Sequence, residues 1–240
     1  MSQDRVIAIF GAGSGLGAAL ARHFGEEGYK VALVARRAGP LEELANSLSA
    51  SGIKATTFPA DVTDLDRLPG LLGRIEERLG PIDVAVYAPV PSEGGFMPAA
   101  QLDGASLRAM APLYTHAPVE LTHRPIASMT ERASGAVVVT GGLAAVTPIP
   151  GLSGAAPLMA ATRNYVHALN AELAGTGVFV GATYIGAMIE GSTGMSLATA
   201  GGKALDPNLP TIAAGDVAAA IWSLVTDRDR VETVLPDFSR

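Results

Sequence analysis

Short apolar runs alternate along the chain with longer stretches of helical periodicity. Val6–Phe10, Val31–Ala35, Lys54–Phe58, Ile82–Tyr87, Ala136–Thr140, Val178–Ile185 and Val231–Leu235 read as strands. Near-continuous apolar runs of this length suit strands buried on both faces. Between them, Ala18–Gly28, Pro40 to about Ser51, Leu65–Leu79, Ser106–Arg132 and about Leu152–Ala174 carry helical spacing, and Thr211–Thr226 ends in another helix. Pro40 is well placed as an early helical residue, and Asp216 is the candidate cap of the last helix. Pro69 and Gly70 disturb the start of the third. Pro112, Pro118 and Pro125 fall inside the fourth, where each interior proline removes a hydrogen bond and costs about 3 kcal/mol. A kink or break near Pro118 or Pro125 is expected. Alternating strand and helix imply right-handed crossovers and a parallel sheet. Two segments stand apart: Pro89–Pro98, a loop, and Gly186–Leu209, small, polar and glycine-rich, as expected of a mobile lid over a site.

Composition narrows the classes. The 240 residues are 48% hydrophobic, ample for a large core. A net charge of −6 gives no support to a nucleic-acid or acidic-membrane partner. Cysteine is absent, which removes disulfides, thiol nucleophiles and thiolate metal sites and is compatible with the cytoplasmic location expected. Met1 is followed by Ser-Gln-Asp-Arg and a short strand, unlike a signal peptide. Gly135–Thr162 carries no charge and is long enough to raise a membrane span. Its glycines and Pro148, Pro150 and Pro157 interrupt it, so buried core and a site wall are expected, with no membrane partner.

The first strand leads into Phe10-Gly11-Ala12-Gly13-Ser14-Gly15-Leu16-Gly17, and a helix follows. Strand, glycine turn and helix is the context in which this pattern means dinucleotide binding. Gly11 permits a tight turn, Gly15 a close backbone approach to a pyrophosphate, and Gly17 close packing of helix on strand. The helix N-terminus then offers free N–H groups and a positive dipole end to the phosphates. Arg36-Arg37 follows the second strand, where the adenosine ribose should lie. An acidic residue there would bind a 2′-hydroxyl, whereas arginine suits a 2′-phosphate. NADP(H) is therefore favoured over NAD(H). Asp61-Val62, after the third strand, is placed to contact adenine.

These features resemble the short-chain dehydrogenase/reductase family over nearly the whole chain. That family's TGxxxGxG is matched by Gly11, Gly15 and Gly17, with Phe10 in place of the threonine. Asp61, Ile82-Asp83-Val84, Gly135 and Ala171-Glu172-Leu173 match further positions. The resemblance implies a single Rossmann-type doubly wound α/β domain over residues 1–240. About seven parallel strands would carry helices on both faces. It also implies nicotinamide cofactor binding by Gly11, Gly13, Ser14, Gly15, Leu16, Gly17, Arg36, Arg37, Asp61, Val62, Ala88 and Gly186. A homodimer or homotetramer, joined through the region of the fourth to sixth helices, is the expected assembly.

The resemblance fails where the chemistry should be. In that family a tyrosine handles the proton, a lysine four residues later lowers its pKa, a serine orients the carbonyl and an asparagine supports a proton relay. A phenol near pKa 10 needs such help at neutral pH. Counting from Gly135, these positions fall on Ala155, Met159, Gly142 and, on or next to it, Pro112. Tyr165 is followed four residues later by Leu169, and the lysines are Lys30, Lys54 and Lys203. The motif after the fourth strand reads Tyr87-Ala88-Pro89-Val90, and that after the sixth Ile185-Gly186. Substitutes are weak. Tyr114 and Tyr184 favour packing over catalysis, and Thr140 is a common type of strand-end threonine. Glu190 and Thr193 in the lid could reach cofactor phosphate or amide. His116, Glu120 and His123 have helical spacing, but Pro118 lies between them and a solvated helix face is the better reading, so no metal site is expected. His23 and His167 read as helix-surface residues.

The expected function is an NADP(H)-dependent oxidoreductase of this type with an atypical active site and a small, largely apolar substrate. The alternatives are a non-catalytic nucleotide-binding relative, or a non-redox cyclase or isomerase on the same fold.

Overall fold

In a computed structural model of the protein, residues 5–90, 96–199 and 210–237 are described. Strands β1 (Val6–Phe10), β2 (Lys30–Ala35), β3 (Ala55–Pro59), β4 (Val84–Tyr87), β5 (Gly135–Gly142) and β6 (Val178–Ile185) join the last, β9 (Glu232–Leu235), in one seven-stranded sheet. The order is β3-β2-β1-β4-β5-β6-β9, and every pairing is parallel. The chain runs outward from β1 to β3 and then restarts at β4 on the other side of β1. That reversal opens a crevice at the carboxyl ends of β1 and β4, where ligands of open α/β sheets bind.

Helices cover both faces, and the period of two along each strand sorts its side chains between them. Ile7 and Ile9 pack with Leu20 and Phe24 of α1 (Leu16–Glu26), Leu41 and Leu48 of α2 (Ala38–Ala50), and Ile221 and Leu224 of α8 (Ala214–Asp227). Ala8 and Phe10 pack with Leu71 and Ile75 of α3 (Leu68–Leu79), Leu121 of α5 (Ala117–Glu131) and Val166 of α6 (Ala156–Glu172). Asp83 pins the amino edge of the sheet, accepting hydrogen bonds from Val6 N–H at 2.8 Å and from Arg132 at 2.8 Å.

Several elements differ from expectation. The proline-rich helix is interrupted just before Pro118, and not at Pro125. After α4 (Gly104–Ala111), Pro112–His116 form a single π-helical turn, closed by Ala117 N–H on the Pro112 carbonyl. Pro118 lies two residues after that turn in a helix that runs on from it, and the Tyr114 carbonyl, four residues back, accepts from the Thr162 hydroxyl instead. Pro125 lies inside α5, which continues through it. The wider turn thus ends two residues before Pro118, near one of the two expected places. The stretch Thr211–Thr226 splits into a two-residue strand, β8 (Thr211–Ile212), and α8, whose cap position is Ala213; Asp216 sits in its first turn instead. The expected lid contains a short strand β7 (Met188–Ile189), paired with β8, and a helix α7 (Thr193–Ala198); its residues 200–209 lie outside the described residues. The uncharged stretch from Gly135 forms β5, a 3-10 turn at Leu143–Ala145, a loop and the start of α6. Among the described residues no helix is long and apolar enough to cross a membrane.

Candidate active site

The glycine turn is shaped by backbone contacts. Gly11 has φ +100°, and a Cβ there would lie 2.5 Å from the Ala88 carbonyl and from Pro89 N. Its N–H and that of Ala12 both donate to Val34 O at 2.9 Å, so the turn is tied to β2 and seated against the end of β4. A Cβ on Gly17 would lie 2.6 Å from Ala12 Cα and Gly11 O, which is how closely α1 packs on the turn. Gly13 and Ser14 are exposed. No side chain caps the N-terminus of α1 at Gly15, which leaves its first N–H groups without a side-chain acceptor.

Gly15 is buried, and the group that uses its missing side chain is part of this chain. A Cβ there would lie 2.7 Å from Ser192 Cβ and 2.9 Å from Ser192 Cα. The Ser14 hydroxyl donates to Gly191 O at 3.1 Å. The segment Met188–Ser192 is therefore a strap across the glycine turn. Its other edge is held by Met188 N–H on Pro210 O at 2.8 Å and Glu190 N–H on Ile212 O at 3.0 Å. The space that a side chain at Gly15 would fill is occupied here by Ser192. Glu190 and Thr193 are both exposed, and the Glu190 carboxylate accepts from the Thr211 hydroxyl at 3.4 Å.

Arg36 and Arg37 are exposed at the end of β2. Asp61 accepts from Thr63 N–H at 2.9 Å and from the Thr63 hydroxyl at 2.7 Å. Partial burial works against its ionisation, but these bonds and the nearby Arg36 charge outweigh it and hold the carboxyl below its ordinary range. Val62 is buried. Ala88 N–H donates to Phe10 O, and Gly186 N–H to Leu235 O, both at 2.7 Å. Neither amide is available to a ligand.

At the chemistry end the positions counted in sequence meet around the first half of α6. Gly142 N–H donates to Met159 Sδ at 3.3 Å. Ala155 is buried at the cap of α6, and Pro112 opens the π-helical turn. That turn is fastened to its neighbours: the Thr162 hydroxyl donates to Tyr114 O at 2.6 Å, the Thr115 hydroxyl to Leu158 O at 3.3 Å, and the Tyr87 hydroxyl to Leu113 O. Thr140 donates its hydroxyl to Tyr87 O at 3.1 Å. Tyr184 is only 3% exposed, on the α6 side of the sheet, and its ring packs on Gly141. Burial, reinforced by Glu232, pushes the Tyr184 phenol up, and burial pushes that of Tyr114 up to about 12. Both are thereby poorer proton donors at neutral pH than a free phenol.

Other expectations are redistributed. His116, Glu120 and His123 are exposed, and no cluster able to hold a metal occurs among the described residues. His167 is not a free surface residue: its Nε2 lies 2.7 Å from Glu232 Oε2. Glu232 also takes a two-pronged contact from Arg163, at 2.7 Å on each oxygen. Nor is His23, whose ring packs against Trp222 at 5.4 Å and whose Nε2 is buried without a partner. The Ser192 contact and the Glu232 cluster link residues far apart in the chain, and no local spacing announces them.

Comparison with known proteins agrees with this architecture. The family model for short chain dehydrogenases matches residues 5–199. A short chain dehydrogenase of Pseudocercospora fijiensis is 31% identical over 176 residues, 73% of this chain and 57% of that protein. The matched region thus spans little more than half of that relative. A metagenomic short-chain oxidoreductase, solved in complex with NADP, superposes with a TM-score of 0.78 at 20% identity, over 97% of each chain. The apo structure of a short-chain oxidoreductase from Pseudomonas aeruginosa PAO1, which contains an atypical catalytic center, gives a TM-score of 0.83 at 20% identity. It covers 96% of this chain and 94% of that one.

Proposed function

The chain belongs to the short-chain dehydrogenase family, and from that premise we propose that it is an NADP(H)-dependent oxidoreductase with an atypical active site. The observation that carries the reading is the pairing of an uncapped, backbone-walled glycine turn at α1 with two exposed arginines at the end of β2. The residues present fit the cofactor. Gly13 and Ser14 are open to the crevice, and the α1 N-terminus would face the pyrophosphate. Arg36 would take the 2′-phosphate, and Asp61-Val62 would flank the adenine. Ser192 must move aside or settle beside the pyrophosphate for this to happen.

When bound, the cofactor supplies a hydride to the substrate. The chain's own residues bind and orient. α6 brings Met159 and the buried Ala155 to the crevice floor, a surface with no charged side chain at the counted positions, which favours a small, largely apolar substrate. Bulk water is the proton source in this reading, because the nearby hydroxyls of Thr140, Tyr87, Thr115 and Thr162 already donate to carbonyls.

A second reading, a nucleotide-binding relative without turnover, is favoured by the Ser192 contact on Gly15. Titration with NADPH and NADH, followed by a carbonyl panel monitored by nicotinamide absorbance, separates the two. Tighter binding of NADPH with turnover is the expected result. Binding with no turnover across the panel would favour the second reading, and no binding of either cofactor would remove both.

A further inference from the structure

The crevice floor holds one donor whose partner is weak. β4 ends at Tyr87, opposite Val139, but β5 continues to Gly142. Residues 140–142 therefore pair with β6 on one side, Gly142 opposite Ile185, and overhang the crevice on the other. Thr140 fastens its overhang to Tyr87 O. Gly142 instead directs its N–H to the Met159 thioether at 3.3 Å. Thioether sulfur is a weak acceptor, carried here on a side chain with three rotatable bonds. A Cβ on Gly142 would meet, within 4 Å, only Met159 Cε at 3.5 Å and Sδ at 3.8 Å. The amide thus faces the end of one flexible side chain, which also borders the Cβ side of Gly142.

We propose that the Gly142 N–H is the donor that binds the substrate's reacting oxygen, and that Met159 is the displaceable plug that covers it. This rests on the oxidoreductase reading above and specifies its substrate class. An amide N–H can hold an oxyanion but cannot release its proton at neutral pH. Hydride added to the carbonyl carbon moves the C=O π pair onto oxygen, and the Gly142 N–H holds that charge. Water then supplies the proton and hydroxide passes to solvent, the two electrons being those of the hydride that a bound NADPH would supply. The substrates that suit this are electron-poor carbonyls, such as α-dicarbonyls, whose reduced oxygen bears charge readily. Met159 folds back when the site empties.

Two measurements test the assignment. Glycine-selective ¹⁵N NMR of the wild-type protein reads the Gly142 amide directly as 2,3-butanedione is added, with NADP⁺ present. A shift of that amide together with the Met159 methyl signal is expected; an amide that does not move overturns the proposal. Gly142→Pro removes the N–H on a backbone whose φ of −84° proline accepts, and sets ring carbon where the amide hydrogen faced Met159. Loss of one oxyanion donor corresponds to about 100- to 1000-fold in turnover. Butanedione reduction by Gly142→Pro is expected at least about 100-fold below that by Gly142→Ala, with NADPH affinity matched. Equal rates for the two variants would overturn the proposal. If Gly142→Pro does not fold, the wild-type amide shift decides. Should NADPH fail to bind, the oxidoreductase reading falls, and titration with butanedione alone still decides whether Gly142 is the donor.

Discussion

At Gly11 an added Cβ would meet backbone of Ala88 and Pro89 at 2.5 Å, whereas at Gly142 it would meet only the end of the Met159 side chain, at 3.5 and 3.8 Å. Both glycines border the crevice, one at its cofactor end and one at its chemistry end. The first is held by atoms that cannot move without moving β4, and its φ of +100° disfavours any other residue. The second has an ordinary φ of −84° and a neighbour that can rotate away. The cofactor end is a rigid mould and the chemistry end a yielding one. The strap at Ser192 lies between these extremes: its backbone touches Gly15, but it belongs to a segment held by a few hydrogen bonds.

Substitution of the two glycines should expose this contrast most strongly. Gly11→Ala combines a backbone clash with a strained φ and is expected to lose about 3–5 kcal/mol of stability. Gly142→Ala makes an ordinary contact and is expected to lose under about 1 kcal/mol. Urea unfolding of both variants checks this, and similar losses would erase the distinction between mould and yielding wall.

Next in size is the arginine at the cofactor end. If Arg36 holds the 2′-phosphate as proposed, Arg36→Asp removes a charge-assisted contact of about 1.5–3 kcal/mol, so NADPH should weaken by about 10- to 100-fold while NADH changes little. Fluorescence titration with each cofactor measures the difference, and equal losses would reject the 2′-phosphate role.

The chemistry end has its own ionic brace, which ties α6 to β9. Hydrogen bonds from Arg163 first, and from His167, hold the Glu232 carboxyl below its ordinary range in spite of partial burial. A carboxyl depressed in the folded state stabilises above its unfolded pKa of about 4.3. That stabilisation is lost as pH falls through the lower folded value. Glu232→Gln should therefore lose about 1–2 kcal/mol at neutral pH, and the gap from wild type should close in acid. Thermal melts between neutral and acidic pH follow it; a gap that widens in acid would contradict the brace.

The smallest effect is expected at the strap. Ser14→Ala deletes one neutral hydrogen bond to Gly191 O, worth about 0.5–1.5 kcal/mol. Amide exchange across residues 188–192 should quicken, and NADPH should associate about two- to tenfold faster. Unchanged association with faster exchange would mean that the strap does not obstruct the cofactor.

Much of this contrast was written locally in the chain. The apolar run Val6–Phe10 and the glycines after it specify a buried strand, a positive-φ turn and a helix start, because strand burial and helix packing depend on neighbours in sequence. The same holds for the seven parallel strands and for the arginines after β2. The proline helix was legible only as a disturbance. Three prolines announced an interruption, but packing against α6, through Thr115 and Thr162, accompanies a π-helical turn at Pro112–His116.

By itself, then, the sequence determined the strand-and-helix alternation and the glycine turn between β1 and α1, and it put Gly142, Ala155 and Met159 at the positions counted from Gly135. Only the tertiary structure decided what those positions touch. Ser192 reaches Gly15 across 177 residues of chain, as Ser14 reaches Gly191, and Glu232 on β9 gathers Arg163 and His167 from α6. Local periodicity records which face of an element is buried, whereas such meetings depend on how crossovers bring distant segments to one edge of the sheet.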